Sequence, residues 1–203
     1  MRLALAILIA FTSALASAKT AWPVFRDFKR VGGGAKDAAL IAGVENYPMV
    51  PKIPGAVANA ADWYSYLVKS REVPDHRVIL LRDAEVTAET IQQKLTETAR
   101  RVEPGGTLWF VFIGHGAPSR DGKDGLLVAV DAQKSNLFTR SVRRSEVLKI
   151  TAASRAAQSM IILDTCFSGR STTGAYLVPG LQPLVAEEIP ASTDSRTILF
   201  TAA

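Results

Sequence analysis

The chain contains one cysteine and two histidines among its 203 residues, so nucleophilic catalysis has very few candidate groups. Cys166 stands in the segment DTCFSG (164–169), and His115 stands in the segment IGHG (113–116). A thiol attacks as the thiolate, and its ordinary pKa of about 8.5 leaves most of it protonated at neutral pH. A nearby imidazole accepts the thiol proton or, once protonated, holds the thiolate by charge. The two residues therefore predict thiol-dependent nucleophilic catalysis.

Glycines on both sides of the histidine suit the same chemistry. Gly114 and Gly116 let the backbone turn sharply and approach a substrate without an intervening Cβ. The N–H groups of Gly116 and Cys166 are then candidates to donate to an oxyanion, which lowers the barrier of acyl transfer. Asp164 lies two residues before Cys166, so strand alternation places both on the same side. Its carboxylate is a candidate to bind a positively charged substrate side chain, and a purely structural hydrogen-bond acceptor is an equal alternative.

Alternating strand and helix patterns predict how these residues are positioned. Short apolar runs predict five strands, at 38–44, 76–81, 107–113, 159–163 and 197–200. Apolar residues at helical spacing predict a helix from Ala56 and another after Thr87, whose side chain is placed to cap it. A run within 124–131 predicts a hairpin or an edge strand, and 141–150 predicts a further helix. The order predicts an α/β fold with a mainly parallel sheet flanked by helices.

The sheet edge is the expected position of the site, because ligands of such sheets bind beyond the carboxyl ends of the strands. His115 follows the third predicted strand directly, and Cys166 follows the fourth. If these two strands are neighbours, both side chains lie at one edge of the sheet.

The first 18 residues have the pattern of a signal peptide. Arg2 precedes the apolar run 3–11, and ASA (16–18) has the small-x-small pattern that signal peptidase cuts. The apolar run is too short to cross a bilayer core of about 30 Å, so no stable membrane anchor is expected. We expect cleavage near Ala18 and a periplasmic or secreted protein. An unpaired cysteine in an oxidising compartment favours a reactive role over a packing role.

The composition, 48% hydrophobic and 21% charged, is typical of one folded domain. We assign that domain to 37–203 and interpret 19–36, which holds a glycine triplet, as a leader or linker. Four basic side chains cluster near the predicted third helix: Arg140, Arg143, Arg144 and Lys149. We interpret this cluster as a solvated helix face, and export also argues against a nucleic-acid partner.

The two motifs, 51 positions apart, resemble those of the caspase-like cysteine peptidases, most closely the metacaspases and their bacterial relatives. The histidine motif reads FIGHG (112–116), and the cysteine motif reads D-x-C-x-S-G. Supporting similarities are ALIAGVENY, PGAVANA and GLLVAVDA, which begin at Ala39, Pro54 and Gly125. The resemblance extends from Ala38 to the end of the chain. It implies a caspase-like three-layer sandwich and a cysteine-type endopeptidase that acts on proteins or peptides.

The resemblance also implies individual roles. His115 corresponds to the general base and acid, Cys166 to the nucleophile, and the amides of Gly116 and Cys166 to the oxyanion hole. Metacaspases cleave after Arg or Lys, and the aspartate that binds this basic side chain corresponds to Asp164. Asn59 stands where the family has a second pocket aspartate, so we expect it to line the same substrate-binding pocket.

Cofactors and partners follow from the same resemblance. Metacaspases often need calcium, and three acidic residues follow the histidine: Asp121, Asp124 and Asp131. This cluster is thin, so we expect no cofactor, with calcium as the one candidate. The family continues past its fifth strand into a small-subunit region that this chain is expected to lack, which predicts a dimer or a small-subunit partner. The alternative is a non-catalytic caspase-like module that binds a partner protein.

Overall fold

A computed structural model of the chain describes residues 29–170, 174, 176, 177 and 194–202. The strands and α-helices are β1 (Ala38–Gly43), α1 (Ala56–Ser65), β2 (Val78–Arg82), α2 (Ala88–Arg101), β3 (Thr107–Ile113), β4 (Gly116–Pro118), β5 (Gly125–Val128), β6 (Ser141–Arg143), α3 (Arg144–Ala152), β7 (Gln158–Asp164) and β8 (Thr197–Thr201). Short helical turns occur at Tyr66–Ser70, Asp75–Arg77 and Asp83–Glu85. The expected signal peptide and most of the expected leader lie outside the described residues.

In the described part of the chain, five strands form one parallel sheet in the order β2-β1-β3-β7-β8. All six residues of β1 are buried, and β3 is buried from Leu108 onward. Such continuous burial is expected for parallel strands that are covered on both faces. The predicted α/β fold with a mainly parallel sheet is therefore confirmed.

Successive residues of β3 belong to two cores, one on each face of the sheet, because the strand has a two-residue period. Phe110 and Phe112 pack in the core beneath α2 and α3, and Val111 packs in the core beneath α1. Each of these side chains is fully buried, which contributes roughly 1.5–3 kcal/mol apiece. A Cβ at Gly43 would lie 2.7 Å from the Cβ of Ala60, so this glycine lets α1 cross β1 closely.

Helices α1 and α2 begin where their capping and apolar patterns predict. The Thr87 side chain accepts a hydrogen bond of 3.1 Å from the N–H of Thr90, which caps α2 as expected. Ile91 and Leu95 then bury one face of α2 against the sheet. No helix in the described part of the chain is long and apolar enough to span a membrane.

A second, antiparallel sheet of three strands, in the order β4-β5-β6, is inserted between β3 and α3. β5 confirms the strand predicted within 124–131, whereas β4, which begins one residue after His115, was not predicted. β6 corrects the helix predicted over 141–150, because its residues pair with β5 and α3 begins only at Arg144. A strand of three residues is too short to show its period in the sequence.

Candidate active site

The ends of β3 and β7 bring the histidine and cysteine segments side by side. The two strands are parallel neighbours, and Ile113 is aligned with Asp164. One step further, the N–H of Gly114 donates to the carbonyl oxygen of Asp164 at 3.3 Å. The two motifs therefore leave the sheet at the same edge, as the sequence predicted.

Gly116 shows how closely these segments pack. A Cβ at this position would lie 2.5 Å from Thr165 Oγ1 and 2.8 Å from the carbonyl oxygen of Cys166. Real Cβ atoms do not approach backbone this closely, so the contact requires glycine. The residue after His115 thus lies directly against the backbone that carries the thiol.

His115 is 5% exposed and is held at both its backbone and its ring. Its N–H donates to Tyr47 Oη at 2.9 Å, and its Nε2 lies 2.7 Å from the carbonyl oxygen of Pro51. A carbonyl oxygen only accepts, so Nε2 carries the hydrogen and Nδ1 keeps its lone pair. Burial lowers the pKa of His115 below its usual value, and the hydrogen bond to Pro51 opposes part of that shift. The imidazole is therefore neutral at neutral pH, with Nδ1 as its basic atom.

Cys166 has an exposed side chain in the loop that follows β7, as a nucleophile that must reach an external substrate requires. It is the only cysteine in the chain, so no internal disulfide blocks it. Its neighbour Thr165 is buried, and Thr165 Oγ1 has no hydrogen-bond partner among the described residues.

The two expected pocket residues lie in direct contact. Asn59 Nδ2, on α1, donates to Asp164 Oδ2 at 3.0 Å, although 105 positions separate the two residues. Asp164 is exposed, and Asn59 is partly buried beside it. The carboxylate is thus both hydrogen-bonded and accessible at the edge of the sheet that carries Cys166.

Asp124 is buried and is contacted by several protein groups. It is 7% exposed and accepts hydrogen bonds from the N–H of Gly125 at 2.8 Å and from the hydroxyl of Ser145 at 2.6 Å. The guanidinium of Arg144 lies 3.6 Å from the same carboxylate. A protein cation therefore already neutralises this acid.

The other two acidic residues are engaged elsewhere. Asp121 accepts from the hydroxyl of Ser119, and Asp131 pairs with Arg140 at 3.3 Å. Among the described residues, no three His, Cys, Asp or Glu side chains converge in a way that could hold a metal ion. Each of the three carboxylates that were candidates for calcium therefore has at least one hydrogen-bond or cationic partner within the protein.

Arg144 corrects the interpretation of the basic cluster as a solvated face. It is 3% exposed, and its guanidinium lies 6.0 Å from the centre of the Phe167 ring, whereas Arg143 is exposed. Phe167 follows Cys166 and packs so closely on β5 that a Cβ at Gly125 would lie 2.6 Å from its ring. A buried ion pair thus lies behind the residue next to the thiol.

Sequence reasoning missed Tyr47 and Pro51. Both lie in the loop between β1 and α1, at the carboxyl edge of the sheet where a site was expected. The NYP segment (46–48) in that loop was a usable signal for Tyr47, because it places a tyrosine shortly after a buried strand, at the edge of the sheet where the site was expected. The carbonyl of Pro51 has no signal in the sequence, because every residue has one.

Among solved structures, the chain is similar to the crystal structure of protein GSU0716 from Geobacter sulfurreducens, with a TM-score of 0.51 and 18% identity. The match covers 64% of this chain and 50% of that chain, so only half of the other protein is matched. A likeness at this identity supports the fold alone. A search of curated proteins found no match.

The family comparison agrees with the motifs and the fold. The family described as "Metacaspase, peptidase C14 domain" matches residues 37–173, which is more than half of the chain and includes both motifs. The resemblance inferred from FIGHG and DTCFSG is thereby confirmed, and the chain belongs to the metacaspase family of C14 peptidase domains.

Proposed function

We propose that the protein is a cysteine endopeptidase in which His115 and Cys166 act as a catalytic dyad. One observation carries the proposal: the hydrogen bond from Nε2 to Pro51 leaves Nδ1 of a neutral imidazole as the base, on a segment that packs against the cysteine backbone. The family supports peptidase chemistry in general. The assignment of these two residues to its steps is our own.

The first half of the reaction transfers the acyl group to the enzyme. Nδ1 of His115 takes the proton of the Cys166 thiol, and the sulfur attacks the carbonyl carbon of the substrate. The tetrahedral intermediate collapses, the C–N bond breaks, and His115 returns the proton to the leaving amine. In the second half, His115 deprotonates a water that attacks the thioester, which releases the acid and regenerates the thiol.

The oxyanion donors that we propose are the amides of Gly116 and Cys166. The N–H of Val128 donates to the carbonyl of His115 at 2.9 Å, so the opposed residues Gly116 and Leu127 form a pair that exchanges no ladder hydrogen bonds. The N–H of Gly116 therefore points away from β5. This orientation leaves it available to a developing negative charge.

A preference for Arg or Lys before the scissile bond is the proposed specificity. The exposed carboxylate of Asp164 supports it, because a negative charge at the site edge binds a cationic side chain. Asn59 contributes a hydrogen bond instead of a second charge, and it holds one oxygen of Asp164 in place. Asp164→Asn is expected to lower kcat/KM for Arg and Lys peptides at least tenfold relative to peptides with a neutral residue there.

The decisive experiment is alkylation of the single thiol, since iodoacetamide then reports on Cys166 alone. We expect labelling at neutral pH faster than that of a small free thiol, and slower labelling in His115→Ala. The matched control is His76→Ala, which removes the only other histidine, exposed before β2. Fluorogenic peptides ending in Arg, Lys or Asp then test hydrolysis, which Cys166→Ala must abolish. Ordinary thiol reactivity without hydrolysis would favour the non-catalytic binding module.

Export is proposed on the amino-terminal pattern alone. Cleavage after Ala18 would leave the mature protein in the periplasm or outside the cell. Mass spectrometry of the protein recovered from these fractions is expected to find an amino terminus at Lys19. Recovery of the full-length chain from the cytoplasm would contradict the proposal.

We propose a second copy of the chain as the partner. Among the described residues, β8 is the last strand in the order of the main sheet, and its Ile198 and Phe200 are 37% and 55% exposed. An exposed edge strand is a template for pairing with another chain. Sedimentation is expected to show a dimer that Phe200→Lys weakens, and a monomer at all concentrations would refute the pairing.

A further inference from the structure

Three hydrogen bonds form a closed cycle around the backbone of His115. The N–H of His115 donates to Tyr47 Oη at 2.9 Å, and the Tyr47 hydroxyl donates to the carbonyl of Val128 at 3.0 Å. The N–H of Val128 donates back to the carbonyl of His115 at 2.9 Å. The tyrosine hydroxyl thus joins the end of β3 to the end of β5. Its ring also lies against the imidazole, with 4.9 Å between the ring centres.

The Tyr47 hydroxyl already donates its single proton within this cycle, so it is not placed to give a proton to a substrate. Tyr47 is 4% exposed, and its oxygen is both donor and acceptor within the cycle. Burial raises the pKa of Tyr47 far above its usual value, although the hydrogen bond from His115 opposes the shift. The side chain is therefore neutral at neutral pH, and its contribution is geometric.

Gly114 is explained by the same hydroxyl. A Cβ at this position would lie 2.7 Å from Tyr47 Oη and 2.8 Å from the ring of Phe112. The first glycine of the histidine motif therefore makes room for the tyrosine on one side, as Gly116 makes room for the cysteine backbone on the other.

The loop that carries Tyr47 is itself anchored at its start. Asp83 Oδ1 accepts the N–H groups of Glu45 and Asn46, both at 2.8 Å. Further along, the N–H of Ile53 donates to the carbonyl of Glu45 at 3.0 Å. The segment between these contacts presents both the Tyr47 hydroxyl and the Pro51 carbonyl to His115. One loop therefore holds the backbone and the ring of the same residue.

We propose that Tyr47 is a positioning residue for His115, an inference that rests on the proposed dyad. Its hydroxyl holds the histidine backbone between β3 and β5, so that the ring, anchored at Nε2 by Pro51, presents Nδ1 to the thiol. The Tyr47 hydroxyl bonds backbone groups of His115 and Val128 and takes no proton in the proposed reaction. Its loss acts by letting the imidazole move and by admitting water to it.

The kinetic test compares Tyr47→Phe with Tyr64→Phe. The first removes only the hydroxyl from the cycle, and the second removes a hydroxyl that bonds Asp75, before the start of β2 and far from the catalytic edge. Active sites are counted by titration with an irreversible thiol reagent, so that misfolded protein does not enter kcat. We expect Tyr47→Phe to lower kcat about tenfold to a hundredfold with little change in KM. Tyr64→Phe is expected to match the parent protein.

A second readout is independent of turnover, because the chain has only two histidines to give imidazole signals in NMR. In the parent protein we expect the His115 pKa below its ordinary value, because the ring is buried. In Tyr47→Phe, water reaches the ring, so we expect the His115 pKa to rise and the acid limb of kcat/KM to move with it. The signal of exposed His76 is the internal control and should not move. A tyrosine that merely stabilised the fold would change neither pH dependence.

Gly114→Ala supplies the coupling test. Its new Cβ displaces the Tyr47 hydroxyl in the parent background, so part of its cost should disappear in the Tyr47→Phe background. The inference would be overturned if the losses in Gly114→Ala and Tyr47→Phe were fully additive. It would also be overturned if Tyr47→Phe kept the kcat and the His115 pKa of the parent protein. Either result would leave the dyad intact. Absence of accelerated Cys166 alkylation in the parent protein would overturn the dyad and this inference together.

Discussion

The buried pair of Arg144 and Asp124 makes a prediction about stability that depends on which partner is removed. Counted over the side-chain atoms alone, Arg144 is 4% exposed and Asp124 is 10% exposed, so both charges are nearly inaccessible to solvent. The carboxylate has further donors in Gly125 and Ser145. The guanidinium is less well satisfied, because its Nε and Nη1 have no hydrogen-bond partner among the described residues. Burial also lowers the pKa of Arg144, which Asp124 opposes.

The magnitudes follow from this asymmetry. Asp124→Asn leaves a buried guanidinium without its counter-charge, which is expected to cost about 3–5 kcal/mol of unfolding free energy. Arg144→Met leaves the carboxylate with two donors and removes two unsatisfied ones, each costing about 1–3 kcal/mol. We therefore expect Arg144→Met to lower the free energy of unfolding by about 1–3 kcal/mol less than Asp124→Asn does. The double variant removes both charges and should lie close to the parent.

The assay is urea unfolding of the parent, both single variants and the double variant at pH 7. Alkylation of Cys166 in the same samples tests the loop that carries this cysteine, because the Arg144 guanidinium lies 6.0 Å from the centre of the Phe167 ring. The reasoning is wrong if Asp124→Asn costs less than about 1 kcal/mol, or if Arg144→Met is the more costly of the two. Additive losses in the double variant would show that the two charges do not depend on each other.

Three further predictions concern pH, packing and metal ions. The folded pKa of His115 lies below the 6.5 of an unfolded chain, so between these values the unfolded state binds more protons. The free energy of unfolding should therefore fall as the pH drops below about 6.5, and His115→Gln should lack this fall in urea titrations. Gly116→Ala should lower kcat/KM about a hundredfold, because its Cβ meets the Cys166 backbone, while circular dichroism stays native. Chelation by EDTA should leave peptide hydrolysis unchanged, because Asp124 already has the hydroxyl of Ser145 and the guanidinium of Arg144 as partners, whereas a loss that calcium restores would show that hydrolysis requires this ion.

The sequence was most informative about the elements that lie along one stretch of chain. Continuous apolar runs predicted the strands of the main sheet, and Thr87 predicted the start of α2. The parallel order then implied that His115 and Cys166 leave the same edge, provided that their strands are neighbours. These inferences work because periodicity, capping and strand direction are local properties.

The corrections that the structure made concern residues whose contacts are distant in the sequence. Arg144 stands among basic residues along the chain, yet it lies buried against Asp124, and no local pattern distinguishes it from exposed Arg143. β6 was assigned to a helix because three residues carry no measurable period. The predicted signal peptide falls outside the described residues and stays a prediction.

The sequence by itself determined the chemistry available to this protein, because its only thiol and one of its two imidazoles stand in the motifs that follow two buried strands. It also determined the fold class and the family. Only the tertiary structure decided which nitrogen of His115 is basic, because the acceptor is a Pro51 carbonyl 64 positions away. The same holds for Tyr47, 68 positions from the histidine it supports. Such contacts depend on the shape of a loop after the sheet has formed, and residue types along the chain do not encode that shape locally.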